Sequence, residues 1–422
     1  MDIKRSFSIL TFQISDKHRY YIEQLHYYSV LLLVLVLPYW GAWKLMKALA
    51  FVIFFSSLFT AKGKIKAFFS NKVIIALFLF ILLTYISSLW SPSETIFTWE
   101  FKWAVHRFQY YFLLIPGIYF SSLSKERIKN IFFLMALAPL GTAIIYYLNV
   151  FGLTDLSFSE FGAKDSSLLT NYLVNNFFLA YSAIYFLHLS LSSFLKKEYK
   201  QFTLFFILEM IFVSSMFINP QAYSRLALLV FIIIAMITPL FYLKRKYSMM
   251  LMVLSLLFIA VFMSTNTKIQ NGLNEVKTAI EENRYTTSWG ARLGLIIVGV
   301  DIFKEHPIMG RGISDVTTSL VVYKEKHPEY GLVDSLVHFH NEHVTLLVQV
   351  GVIGYLLYLL FIFLFLKTPI SDPLIDKLKY TYTMAFLLMQ MGEQYFLFYN
   401  TTFFICLFFI FIILHGEREK EN

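Results

Sequence analysis

Charge is scarce in this chain and cysteine nearly absent. Of 422 residues, 15% are charged and 58% apolar, whereas soluble domains run at roughly 25% charged and roughly 45–50% apolar. Those values, with a mean hydropathy of +0.62, exclude an ordinary soluble enzyme, a disordered chain and a disulfide scaffold. The one cysteine, Cys406, lies in an apolar run, so no intrachain disulfide forms and cysteine does not report the redox compartment. The N-terminus lacks a short apolar core followed by a small-residue cleavage site, so no signal peptide is read there. No repeat period and no low-complexity linker is visible.

Long apolar runs are abundant. A spanning helix needs about 17–25 mostly apolar residues. Twelve segments qualify as candidates: 27–40, 45–60, 72–90, 107–122, 130–150, 168–193, 202–218, 223–243, 248–265, 343–366, 378–392 and 396–414. The first two are short and divided by the aromatic corner Trp40-Gly-Ala-Trp43; 378–392 is short as well. The expectation is an all-α, polytopic membrane protein with about twelve transmembrane helices.

The net charge of +9 suggests nucleic acid on a soluble protein, but here the membrane accounts for it and no nucleic-acid partner is expected. Cytoplasmic loops collect Lys and Arg. With the N-terminus inside, the short inside segments hold most of the basic residues. The short outside loops and helix mouths hold only Lys44, Lys47, Lys102, Arg107 and Lys164. An even number of spans with both termini cytoplasmic follows, and it places the one long insertion, 266–342, outside. The chain then divides into residues 1–265 with nine spans, a cap at 266–342, and residues 343–422 with three spans and a cytoplasmic tail.

Within the insertion, Leu273, Val276 and Ile280 share one face of a possible short helix. Leu293, Ile296, Ile297, Val300 and Phe303 form a clearer stripe at helical spacing. His306-Pro307 stops that helix and Gly310-Arg311-Gly312 follows as a turn. A cap lying partly in the membrane interface is expected, either over an active site or as a plain structural lid.

Several polar residues need an explanation. Arg225 stands in the first turn of an apolar span, where a charge is expensive; it either serves a site or snorkels to the surface. Arg292 begins a cap helix, against the helix dipole, which an anionic partner or simple solvation would explain. The run His338-Phe-His340-Asn341-Glu-His343 suits a general base, a metal site through His340 and His343 at i, i+3, or interfacial histidines facing headgroups. No strong zinc signature is present, and no metal is expected. Asn341 is a natural helix cap. Gly351 and Gly354 fit close helix packing. Glu209, within the seventh span, is read as paired or snorkelling.

Three motifs in order resemble the bacterial O-antigen ligase family: Ser224-Arg225; Arg292 through His306-Pro-Ile-Met-Gly310-Arg-Gly312; and His340-Asn341, nine residues, then Gly351-Val-Ile-Gly354. The superfamily also contains O-antigen polymerases and protein O-oligosaccharyltransferases. The resemblance implies a GT-C-like membrane glycosyltransferase of the bacterial inner membrane, acting in the periplasm without metal or other cofactor. It would move a glycan from undecaprenyl pyrophosphate to a hydroxyl of lipid A–core oligosaccharide, with inversion. It assigns pyrophosphate binding to Arg225 and Arg292 and the base to His340. Contacts to substrate are expected from His338, Asn341, His343 and Arg311, with Lys102 and Arg107 adding positive potential. Having only one long outer loop favours a ligase over a polymerase. A short tail after the last span counts against protein O-glycosylation, and the lack of internal repeats against a lipid-linked sugar transporter.

Overall fold

The computed structural model describes residues 15–92, 98–154, 171–218, 224–265, 267–332 and 338–420, and among these every regular element is helical. Each of the twelve expected spans overlaps helix, with 130–150 divided between Lys125–Leu137 and Leu140–Val150. Among the described residues six helical stretches are long and apolar enough to cross a membrane by length and composition: Lys72–Trp90, Lys125–Val150, Tyr172–Leu195, Tyr199–Ile218, Glu342–Leu366 and Tyr399–Arg418. The protein is a polytopic, all-helical membrane protein.

The helices that position the site are, in chain order, α1 (Asp16–Val36), α2 (Trp43–Leu58), α3 (Lys72–Ile86), α4 (Trp99–Tyr119), α5 (Tyr172–Leu195), α6 (Arg225–Ile237), α7 (Thr267–Glu282), α8 (Ser288–Glu305), α9 (Val316–Lys326), α10 (Glu342–Leu366), α11 (Pro373–Gln390) and α12 (Tyr399–Lys420). Their starts follow from residue type. Asn71, Thr98, Asn171, Ser224, Thr287, Asn341 and Asp372 each accept a hydrogen bond from a backbone N–H of the following turn. An orphan donor at a helix start is costly to leave unpaired, most of all away from water.

α12 is the hub. Nearly all of its apolar residues are buried, and Phe404, Phe408 and Phe409 meet Phe177 and Tyr181 of α5, Tyr382 of α11, and Phe361 and Phe365 of α10 edge to face or tilted. Outer helices leave apolar side chains exposed, among them Leu251, Leu254, Leu257, Leu356 and Phe363, as lipid contact requires.

Helices α7 and α8 bury their glycine-bearing faces, with Ile296 and Phe303 of the expected stripe packed against the same core. Leu273, Ile280 and Val300 are exposed, whereas Gly272 and Ala279 of α7 and Gly290, Gly294, Leu295, Val298, Gly299 and Ile302 of α8 are buried. Small residues decide this. A Cβ on Gly272 would lie 2.8 Å from the Trp289 ring, one on Gly294 2.6 Å from Tyr285, and one on Gly299 would overlap Val344. Hydropathy gives a glycine no weight, yet glycines let two helices approach most closely. Leu295, Val298, Ile302, Val316, Leu320, Phe339, Val344 and Val348 form a second core that ties the cap to the first turns of α10.

Gly351 departs from its expected role. It has φ +62° and ψ −166° and breaks α10. The segment after α8 fills the gap. Arg311 N–H donates to Val348 O (2.8 Å), Gly312 N–H to Gln349 O (2.9 Å), Val352 N–H to Pro307 O (2.9 Å) and Ile353 N–H to Ile308 O (3.2 Å). Backbone groups freed by the break are thus satisfied by the loop, as an apolar surrounding demands. A Cβ on Gly310 would lie 2.6 Å from Gly351 N. The three glycines Gly310, Gly312 and Gly351, all at positive φ, are what allow loop and helix to interlock.

Candidate active site

Asn341 caps α10, its side-chain oxygen accepting from Val344 N–H at 3.0 Å, while its amide donates to Met391 O at 2.9 Å. That second bond draws the turn after α11 onto the start of α10. Glu342 reinforces it by accepting from Phe396 N–H at 3.1 Å, and Gln394 bonds Thr345.

The turn carries Glu393. Its side chain is 2% exposed, while those of His338 and His340 are 21% and 20% exposed. The carboxylate is therefore sealed in and the imidazoles are open on one side. His340 Nδ1 lies 3.1 Å from Glu393 Oε2 and His338 Nε2 lies 3.6 Å from Oε1; the two rings are 4.0 Å apart. Gln394 N–H donates to Oε1 at 3.0 Å. Burial alone would raise the Glu393 carboxyl, but the two imidazoles and the backbone N–H outweigh it and hold the group below the ordinary carboxylate range.

An ionised carboxylate can only accept, so His340 Nδ1 is the protonated nitrogen when the ring is neutral, and Nε2 keeps its lone pair. His340 has φ +49°. A non-glycine residue in the left-handed region is costly and clusters at functional sites. Here the Asn341 cap and the Glu393 contact hold it.

Arg225 is exposed on the first turn of α6, with its guanidinium carbon 5.8 Å from the Trp289 ring of α8. That contact joins the two arginine motifs, because Arg292 follows Trp289 by one helical turn. Arg292 is also within electrostatic reach of the turn. Burial and Glu393 push the Tyr395 hydroxyl up, and Arg292 pulls it down. Gly392 abuts Leu226, beside Arg225: a Cβ there would lie 2.8 Å from Leu226 Cδ2. The histidines, Glu393 and both arginine-bearing helices therefore meet at one end of the bundle.

Three expected contacts are turned elsewhere, the first being Asn341, whose side chain is buried with its oxygen and amide spent on Val344 N–H and Met391 O. His343 donates from Nε2 to Leu387 O (3.1 Å) and accepts at Nδ1 from the Tyr355 hydroxyl (3.1 Å). Both ring nitrogens are used between α10, α11 and the next turn. Arg311 donates to Glu305 Oε2 (2.6 Å) and Asp315 Oδ2 (2.8 Å), which neutralises it within the loop that mends α10. Lys102 is exposed on α4. The side chain of Arg107 lies outside the described residues, as do Lys164 and the segment 219–223. Glu209 accepts from Ser190 Oγ at 2.8 Å.

His338, His340 and Glu393 each offer one ligand atom, all within 4.8 Å of one another. Two imidazoles and a carboxylate are a donor set for a divalent cation as well as a base with its orienting acid.

Glu393 is the residue that the sequence reading missed. It stands in Met391-Gly-Glu393-Gln394, between two spans, where an acidic residue is unremarked. The available signal was its place at the mouth of a span on the same side as His340.

Residues 210–359 match the family model described as O-antigen ligase. The match takes in Arg225, Arg292, His338 and His340 and ends before Glu393. No curated protein matches the chain.

Proposed function

We propose that this chain, which carries an O-antigen ligase family domain and so is of a glycosyltransferase-like kind, transfers a glycan from undecaprenyl pyrophosphate to a hydroxyl of lipid A–core oligosaccharide. The reaction runs at the periplasmic face of the inner membrane, with both termini cytoplasmic and the 266–342 segment as the outer cap. The observation that carries the reading is the Glu393 clamp on His340 Nδ1 at 3.1 Å, which leaves Nε2 as a base.

In an inverting transfer the acceptor oxygen attacks the anomeric carbon while the pyrophosphate leaves from the opposite side. His340 Nε2 takes the acceptor proton as the new bond forms. The imidazolium so made is stabilised by the ionised Glu393 at its other nitrogen. Arg225 and Arg292 supply planar, multidentate donors to the pyrophosphate oxygens. Their charge counts most as the glycosidic bond breaks and the leaving group gains charge. Trp289, stacked near Arg225, keeps that guanidinium at the cap. His338, the second imidazole on Glu393, contacts the acceptor side, and Lys102 and Arg107 raise the local positive potential. The exposed apolar helix faces meet membrane lipid and the donor's isoprenoid chain.

The test uses cells with an intact core and O-antigen pathway that lack this chain, supplied with the wild type or His340→Ala. Loss of the long-chain lipopolysaccharide ladder in the variant, with polymerised lipid-linked glycan accumulating, supports ligation by His340. Loss of polymer with a single repeat still attached to core identifies a polymerase instead. An unchanged ladder refutes the assignment.

A further inference from the structure

The site end of the bundle holds a cation that the transfer reaction leaves unused. Lys47 lies one turn into α2. Its Nζ is 4.5 Å from the Trp43 ring centroid, 4.8 Å from Tyr399 and 5.8 Å from Tyr110. Lys44 lies 5.4 Å from the same Trp43 ring. Beside them His106 is exposed, its ring 6.1 Å from Tyr399. Gln109 donates to His106 Nδ1 at 3.0 Å, which leaves the Nε2–H of the neutral ring as an outward donor. Lys47 joins none of the ion pairs found among the described residues.

This grouping has a chemical meaning. Aromatic faces hold an ammonium in place but do not neutralise it. A half-sheltered ammonium attracts an anion more strongly than a fully solvated one, because the competing dielectric is lower. Trp43 is 37% exposed, so part of its ring is free to take the apolar face of a sugar. Stacking plus a nearby cation is the recognition chemistry of a saccharide that bears a phosphate or carboxylate.

Its position says which substrate is meant. The turn that carries Glu393 touches Leu226, beside Arg225, at Gly392. At Phe396 it touches Phe108 of α4 with ring centroids 5.4 Å apart, two residues from His106. The arginines assigned to the leaving group and the Lys47 cluster therefore adjoin opposite ends of the turn. An inverting displacement requires nucleophile and leaving group on opposite sides of the anomeric carbon. We propose that Lys47, with Trp43, Tyr399 and His106, binds an anionic group carried by the acceptor saccharide. The choice of acceptor over donor rests on the transfer reading; the binding of an anionic saccharide does not.

The experiment measures binding, so it needs no turnover. The full chain is placed in nanodiscs of zwitterionic lipid. The probes are a phosphorylated core oligosaccharide freed of lipid A, the same after phosphatase, and the same after carboxyl reduction. The wild type is expected to prefer an anionic probe over its neutralised form by about tenfold. The arm that loses the preference tells phosphate from carboxylate. Lys47→Gln is expected to remove the preference and Lys47→Arg to keep it. Equal binding of all probes by the wild type overturns the proposal. So does an unchanged preference in Lys47→Gln, or equal loss of charged and neutral probes in that variant. An effect of Lys47→Gln seen only as weaker binding to anionic lipid vesicles assigns the lysine to headgroups and also overturns it. A parallel transfer assay on the wild type stands apart: its failure refutes the ligase reading and leaves the binding comparison to be read as it is.

Discussion

Replacing Glu393 by glutamine changes one oxygen for an amide nitrogen in a sealed position, and its effect follows from the contacts. The carboxylate accepts from His340 Nδ1 at 3.1 Å and from Gln394 N–H at 3.0 Å, with His338 Nε2 at 3.6 Å. Glutamine has one acceptor oxygen, so it cannot serve both donors as the carboxylate does. Hydrogen bonds to a charged group contribute about 1.5–3 kcal/mol, neutral ones about 0.5–1.5. Weakening two of them costs about 2–3 kcal/mol. If that loss falls on the transition state, where His340 is becoming an imidazolium, kcat drops roughly a hundredfold, since about 1.4 kcal/mol is tenfold in rate. Should the amide turn its NH2 toward Nδ1, Nε2 becomes the protonated nitrogen and the drop is larger. KM for the lipid-linked donor is expected to stay within about threefold, because the arginines are untouched.

The assay is steady-state transfer by protein in nanodiscs, with thermal melting as a check on folding. The pH dependence supplies a second readout. Glu393 is held below its ordinary value of about 4.3, so its contribution is fully present above that pH and is lost as pH falls through the lower folded-state value. The stability that the ionised Glu393 contributes is therefore expected to be fully present above about pH 4.3 and to be lost only as pH falls below it. A kcat within threefold of wild type in a folded Glu393→Gln protein would refute the clamp.

Other outcomes follow from the same geometry. Gly351→Ala places a Cβ within 2.5 Å of Gly310 N at φ +62°, so a loss of about 3 kcal/mol or more is expected, read as a fall in melting temperature; Val352→Ala next to it is expected to change melting little. Transfer is expected to survive EDTA; loss on chelation with recovery on adding zinc would reassign His338, His340 and Glu393 as a metal centre. Arg311→Gln is expected to lower stability, because it leaves the buried Asp315 carboxylate with the Ser319 hydroxyl but without its ion-pair partner, while leaving donor KM within about threefold. A large rise in donor KM without a stability change would return Arg311 to the substrate.

The sequence alone determined the helices and the identity of the chemical groups. Apolar run length is a local property, and the solvent is apolar around most of the chain, so each of the twelve segments became helical, 130–150 as two helices. Ser, Thr, Asn and Asp marked the starts because capping is also local. Arg225, His340 and Asn341 stood out because polar groups at span mouths are costly to keep, and Arg292 because it opposes a helix dipole. Tertiary structure decided what those groups meet. Glu393 lies 53 residues from His340, and only the packing of α11 against α10 brings them together. His343 and Arg311 looked like ligands until their partners were in place. Gly351 looked like a packing residue, but its carbonyl and amide neighbours pair with a loop about forty residues earlier. The cap helices turned their glycine faces inward because close approach, which hydropathy does not measure, outweighed the burial of Leu273, Ile280 and Val300 where the surroundings are apolar or interfacial.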